Sequence, residues 1–378
     1  MIRYRIMTAI LAAMIVLPAA AQAELRGAWV TAWAPGFFTQ EQCDATIAAA
    51  RQAGLNALFI QVRKNADSYY TPGLEPRAAE IAPDFDPLAY IIKKARPLGI
   101  QVYAWVNVYR VWTSKVMPTD PDHVVSRHPE WLTRSFDGEE RSSEGLYLDP
   151  GIPEAREHVA AVVADIASRY EVDGIQLDYI RYPGKDWGYS DRALARYYAQ
   201  TGASAKPSAS DPRWLDWRRK QVTEMVRLIK QRIARARPGL KLSASTIAWG
   251  GCPDSFSASS PYASVCQDWR AWLAEGVLDI NIPMNYKSEK SAKSAQQFRD
   301  WLAGFRKWGS GGPVYVGIEV GGDPAGAVQQ IAAVREYGLD GFVLFAFNQT
   351  ARRDSLVKAL SASPGAASTS SPTRPTRG

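Results

Sequence analysis

The stretch VDGIQLDYIRYP, residues 172–183, decides how the chain is read. Side chains alternate along a strand, so Ile175 and Leu177 share one face while Gln176 and Asp178 share the other. Gly174 and Pro183 punctuate the run. A carboxylate in such apolar company is costly to bury unless it is paired or used.

Seven more runs have the same character: LRGAWVTAW (25–33), NALFIQVR (56–63), QVYAWVNVYR (101–110), KLSASTIAW (241–249), DINIPMNY (279–286), VYVGIEV (314–320) and GFVLFAFN (341–348). They are rich in β-branched and aromatic residues, as strands are. Amphipathic helical stretches such as EQCDATIAAARQAG (41–54) and DPLAYIIKKARPLG (86–99) lie between them. Glycines 54, 99, 174, 239, 276 and 338 each stand where helix hands over to strand, and are expected to cap the helices in the left-handed conformation. Eight strand–helix alternations point to an α/β fold, a (β/α)8 TIM barrel in a single domain. The alternative, an open doubly wound sheet, calls for a glycine-rich phosphate loop after the first strand, and TAWAPGFF (31–38) is not one. Long connections at 111–152, after strand three, and 184–213, after strand four, leave the C-terminal face, where barrel enzymes build their sites.

Both termini are set apart. Residues 1–23 carry Arg3 and Arg5, an apolar run and the ending Ala21-Gln22-Ala23, the pattern of a cleaved signal peptide. An uncleaved anchor is the alternative, but the apolar run is short for a membrane span. No cysteine follows the cleavage point, so a periplasmic or secreted protein without a lipid anchor is expected. Residues 363–378 are small, polar and proline-containing and are expected to be a disordered tail. The barrel domain is then 24–362. Cleavage lowers the formal charge from +7 to about +5 by removing Arg3 and Arg5. The remaining basic residues are spread along helix faces without a nucleic-acid module, so no nucleic-acid partner and no stable membrane insertion are expected.

Two cysteines, Cys252 and Cys266, flank a Ser/Pro-rich loop in an exported chain, which predicts a disulfide; two free thiols are the alternative. Cys43 is expected to be a half-buried helix residue. His123, His128 and His158 show no metal-ligand spacing, and no metal or organic cofactor is expected.

The same alternation, applied to each strand, fills the barrel mouth. It turns inward Trp29, Thr31 and Trp33 from strand one, Gln61 and Arg63 from strand two, and Trp105, Asn107 and Tyr109 from strand three. Strand four gives Asp178, with Tyr179 and Arg181 beside it; strand five gives Ser245 and Trp249, strand six Asn281 and Asn285, strand seven Tyr315 and Glu319, and Asn348 ends strand eight. Aromatic rings stack on sugar faces and Asn or Arg side chains bond hydroxyls, while glycoside hydrolysis needs two carboxyl groups across the scissile bond. Asp178 and Glu319 are the candidates, with Glu289 and Asp254 in reserve. A structural pair with Arg63 or Arg181 is the alternative role for Asp178, and a rim salt bridge that for Glu319. Asp149, in YLDPGIPEAR, reads as a helix cap or a substrate contact; Asp173 and Asp340 read as structural.

At this point LRGAWVTAW, NALFIQVRKNADSYY, VYAWVNVYR, HPEWL, YLDPGIPEAREHV and VDGIQLDYIRYP, in that order, resemble the glycosyl-hydrolase-like family 10 group of secreted bacterial proteins. The likeness is strongest over 25–183. It implies a (β/α)8 fold and a glycoside hydrolase acting on a polysaccharide of the cell envelope or outside it, such as peptidoglycan glycan strands. The family's strand-four aspartate carries over onto Asp178, although its frequent Asp-Asp-Tyr is here Leu177-Asp178-Tyr179. Glu319 rests on alternation and on a looser analogy with glycosidase barrels that use acids on strands four and seven. A non-catalytic carbohydrate-binding protein on the same barrel is the alternative function.

Overall fold

The computed structural model describes residues 24–71 and 73–362; the signal and tail segments lie outside them. Eight parallel strands close into a barrel: β1 (Leu25–Val30), β2 (Ala57–Arg63), β3 (Gln101–Asn107), β4 (Gly174–Asp178), β5 (Lys241–Ile247), β6 (Ile280–Met284), β7 (Tyr315–Glu319) and β8 (Gly341–Phe345). Each pairs with its sequence neighbours, and β8 returns to β1 with Leu25 opposite Gly341.

Around them lie α1 (Gln40–Gln52), α2 (Pro87–Ala95), α3 (Pro153–Arg169), α4 (Asp191–Thr201), α5 (Pro212–Ala236), α6 (Trp269–Ala274), α7 (Ala292–Trp308), α8 (Pro324–Glu336) and α9 (Ala351–Ser361). Their starts are written locally. Thr39, Asp86, Ser190, Asp211, Asp268, Ser291, Asp323 and Thr350 each accept a backbone N–H of the first turn, an interaction worth about 1 kcal/mol apiece. Five of the six expected glycine caps have left-handed φ: Gly54, Gly99, Gly239, Gly276 and Gly338. Gly174 does not. It is glycine because the Tyr103 ring covers it, and a Cβ there would lie 2.4 Å from Tyr103 Cε1.

The barrel is filled by its inward residues. Trp29, Phe59, Tyr103, Trp105, Ile280, Ile282, Tyr315 and Val343 form one apolar cluster, with Phe59 stacked on Tyr103 at 4.5 Å between ring centres. Gly317 makes room for Trp29: a Cβ there would be 3.0 Å from the indole Cη2. At the N-terminal rim Asp173 accepts Val102 N–H (2.8 Å), Asp279 accepts Leu242 N–H (2.7 Å) and Asp340 accepts Val314 N–H (3.0 Å), so Asp173 and Asp340 are structural as expected.

Two strands depart from simple alternation. The β2–β3 register shifts between Gln61 and Arg63. This bulge turns Arg63 away from the mouth, onto Glu75, as bulges re-aim side chains. In β6 the inward set is Ile280, Ile282 and Met284. Asn281 instead accepts Thr246 Oγ1–H at 2.8 Å, and Asn285 donates to Phe298 O of α7 at 3.1 Å. Both asparagines therefore face the helices, where these partners offset part of the cost of burying them, while Asn281 Nδ2 and Asn285 Oδ1 find no protein partner among the described residues.

Candidate active site

The connection after β3 folds over the mouth as a small antiparallel sheet of residues Arg110–Trp112, Arg141–Ser142 and Gly145–Tyr147. Asp178 ends β4 beneath it, 6% exposed. Tyr179 follows with φ +50, and that turn aims its own N–H back at Asp178 Oδ1, 2.7 Å away. Trp105 Nε1–H, from β3, donates to Oδ2 at 3.2 Å. Burial pushes the Asp178 carboxyl above the usual carboxylate range; the Tyr179 N–H, Arg110, Arg181 and Trp105 oppose this without cancelling it.

Arg110 and Arg181 belong to a ladder of cations and rings along the rim. The Arg110 guanidinium lies 5.5 Å from the Trp33 ring centre and 3.8 Å from that of Tyr179, and it donates to Tyr179 Oη at 2.5 Å. Arg181 lies 4.9 Å from the Tyr179 ring and 5.5 Å from that of Trp249. Its other end donates to Glu144 Oε1 at 2.8 Å, while Glu144 Oε2 accepts Tyr147 O–H at 2.5 Å. Trp33 and Trp249 are 47% and 46% exposed.

Glu319 ends β7, exposed at the rim. Tyr286, two residues past the end of β6, stacks on Phe345 with 5.5 Å between ring centres. Burial, then the charges of Asp178 and Glu319, push its hydroxyl well above the ordinary tyrosine value. The two carboxylates thus act on one hydroxyl. Lys287, the next residue, donates to Ala248 O at 2.7 Å, and burial lowers its ammonium pKa.

The structure brings Asp178, Trp105, Tyr179, Arg181, Trp33, Trp249 and Glu319 to one mouth, and corrects the other expectations. Arg63 is fully buried and gives Nε and Nη2 to Glu75, both at 2.6 Å; Glu75 also accepts from His158 Nε2 at 3.0 Å. Arg63 is therefore neither in the cleft nor paired with Asp178. Tyr109 is buried on the helix side, near Arg156 and Asp149. Trp29 and Trp105 are 1% and 4% exposed, part of the barrel filling rather than open platforms.

Asn107, Asn348 and Asn285 are braces. Asn107 accepts from Gln61 (3.2 Å) and donates to Lys64 O (2.8 Å). Asn348 accepts Thr31 N–H (3.0 Å) and donates to Thr31 O and Ala34 O (both 2.8 Å). Asp149 is fully buried; it accepts Gly151 N–H and Ser190 O–H, so it ties two loops together and does not cap α3. Of the reserve acids, Glu289 is held by Arg299 at 3.2 Å and Asp254 is exposed.

The expected disulfide is absent: Cys43, Cys252 and Cys266 are free thiols. Cys252 Sγ packs over Gly304 of α7, where a Cβ would come within 2.6 Å of it. Cys266 is buried and feels the charge of Arg218. Cys43 is fully rather than half buried. Among the described residues no cluster of His, Cys, Asp and Glu could hold a metal ion, and no helix is long and apolar enough to cross a membrane.

Sequence reasoning missed Arg110, Glu144 and Tyr286. With Ile280, Ile282 and Met284 placed inward, Tyr286 follows by the same period of two.

The chain has relatives in sequence and in fold. The chain resembles YngK, a glycosyl hydrolase of Bacillus subtilis, at 28% identity over 292 residues, 70% of this chain and 54% of the relative. It resembles DigH, a glycosyl hydrolase of Escherichia coli, at 26% over 279 residues, 67% of this chain and 60% of the relative. The matched region thus spans little more than half of these relatives. In fold it is similar to the glycoside hydrolase domain of PgaB (BpsB) from Bordetella bronchiseptica, with TM-score 0.65 and 14% identity over 90% of this chain and 99% of that one. The catalytic domain of a Paenibacillus polymyxa beta-amylase aligns with TM-score 0.60 and 12% identity, over 91% and 98%. The glycosyl hydrolase-like 10 family model matches residues 24–323. The chain belongs to the glycosyl hydrolase-like 10 family.

Proposed function

We propose that the protein is an exported glycoside hydrolase that cuts a polysaccharide of the bacterial envelope or its surroundings, with peptidoglycan glycan strands the first substrate to assay. The observation that carries this is the setting of Asp178. A carboxyl kept above its usual range at a barrel mouth is suited to hold a proton and deliver it to a leaving oxygen. Asp178 is therefore the proton donor to the glycosidic oxygen. Glu319, on the opposite rim, faces the anomeric carbon directly or through a water, and the positive charge developing on the sugar lies between them. Arg110 and Arg181 orient Tyr179 and, through it, Asp178. Location outside the cytoplasm is supported by the pattern of residues 1–23.

The exposure of Glu319 favours a second function, carbohydrate binding without turnover. Mass analysis of products from peptidoglycan glycan strands, with wild type, Asp178→Asn and Glu319→Gln, separates the two. Wild-type cleavage lost in both variants supports the hydrolase; glycan binding by the wild type with no cleavage refutes it.

A further inference from the structure

In a closed ring of eight strands, β1 and β5 are diametrically opposite, with three strands between them on either side. Trp33 follows β1 and Trp249 follows β5. A line joining them leaves β2, β3 and β4, with Asp178, on one bank, and β6, β7 and β8, with Tyr286 and Glu319, on the other.

We infer that the ligand is a glycan polymer whose internal segment lies along this line, seated on Trp33 at one end and Trp249 at the other, and passing between Asp178 and Glu319. Each indole stays nearly half exposed, and an exposed aromatic ring can stack on the apolar face of a sugar. Both indoles are already held. Lys64 Nζ lies 4.8 Å and Arg110 Cζ 5.5 Å from the Trp33 ring centre, and Arg181 Cζ lies 5.5 Å from that of Trp249. Stacking a sugar on a ring fixed in this way costs little side-chain entropy. Arg110 and Arg181, two of these cations, also act on Asp178, so the two tryptophans and the acid form one connected unit. A groove ending in an open indole at both ends accepts a chain that continues past it. If the hydrolase function proposed above holds, cleavage is internal; the path of the chain does not depend on that function.

The test uses Asp178→Asn protein, alone and combined with Trp33→Ala or Trp249→Ala, titrated with β-1,4-linked N-acetylglucosamine oligomers from dimer to hexamer and with soluble glycan strands from peptidoglycan. Affinity is expected to rise with chain length. Loss of either tryptophan is expected to weaken hexamer binding by about tenfold, one aromatic contact's worth, with the dimer little changed; Trp→Phe restores part of the loss. Equal affinity for dimer and hexamer, hexamer binding indifferent to either tryptophan, or no binding to either probe overturns the inference. Length-dependent, tryptophan-dependent binding by a wild type that releases no product supports the path and refutes the hydrolase.

Discussion

The indole Nε1–H of Trp105 points at Asp178 Oδ2 across the β3–β4 seam, 3.2 Å away, from a ring that otherwise fills the barrel. This contact and the Tyr179 N–H are hydrogen bonds to the carboxylate form, and burial works against that form. Asp178→Asn removes the ionisable group while keeping size. Turnover is expected to fall by roughly 10²-fold or more. A carboxyl raised in the folded state costs the native protein stability as pH climbs through its pKa, and costs nothing below the unfolded value near 3.9. The melting temperature of Asp178→Asn relative to wild type should thus be most favourable at neutral pH and lose that advantage toward pH 4. A structural partner of arginine would show the reverse, a large loss at neutral pH.

Trp105→Phe keeps the ring and deletes the donor. The Asp178 carboxyl should move further up, and the descending limb of the pH–rate profile, where the proton donor is lost, should shift to higher pH. An unshifted limb would detach Trp105 from the chemistry.

Glu144→Gln should shift the same limb the other way. Glu144 accepts from Arg181, whose charge also acts on Asp178. Freed of Glu144, Arg181 favours the Asp178 carboxylate more strongly and lowers the limb. Glu144→Asp, retaining the charge, should restore part of it. The opposite signs expected for Trp105→Phe and Glu144→Gln exclude a shared cause such as loosened packing.

Stability rests heavily on Glu75. Burial pushes its carboxyl up, but Arg63 and His158 outweigh burial and hold it at about 2. Arg63→Ala leaves that carboxylate buried without its main partner, at a cost of about 3–5 kcal/mol in urea unfolding. Because the folded pKa is depressed, the stabilisation is complete above about pH 5 and is lost as pH falls toward 2. Glu75→Gln should flatten this acid limb of the stability curve.

Alkylation mass spectrometry should find three reduced cysteines in the purified protein. Half-exposed Cys252, its thiol pushed up to about 11 by burial, reacts slowly at neutral pH. Cys43 and Cys266 become reactive on unfolding. A linked Cys252–Cys266 peptide would contradict the arrangement of this loop.

Much of this was legible from local rules. Eight runs of period two, with glycines where helices end, carry the barrel. Asp178 and Glu319 fall at the mouth because β4 and β7 run regularly to their ends. Alternation failed where a side chain's partner is distant in sequence. Arg63 turns away because β2 bulges and Glu75 waits for it. Alternation groups Asn281 with Asn285 but does not fix which set of β6 faces in; Asn281 accepts from Thr246 and Asn285 donates to Phe298 O on the helix side, which leaves Ile280 and Ile282 to the interior. Asn107 and Asn348 are at the mouth in register but are consumed as braces between strand ends. The ladder through Arg110, Tyr179 and Arg181 joins the chain just past β3 to the chain just past β4, and no spacing along the chain encodes that contact.

The indole of Trp29, let in by the bare backbone of Gly317, closes the barrel like a stopper beneath the level of the acids. A glycan cannot be drawn through, and nothing can drain from below. For the hydrolase proposed above, water, leaving group and product would share a single doorway, and the order in which the fragments depart would be set above the acids, by the grip of the rim on either side of the cut.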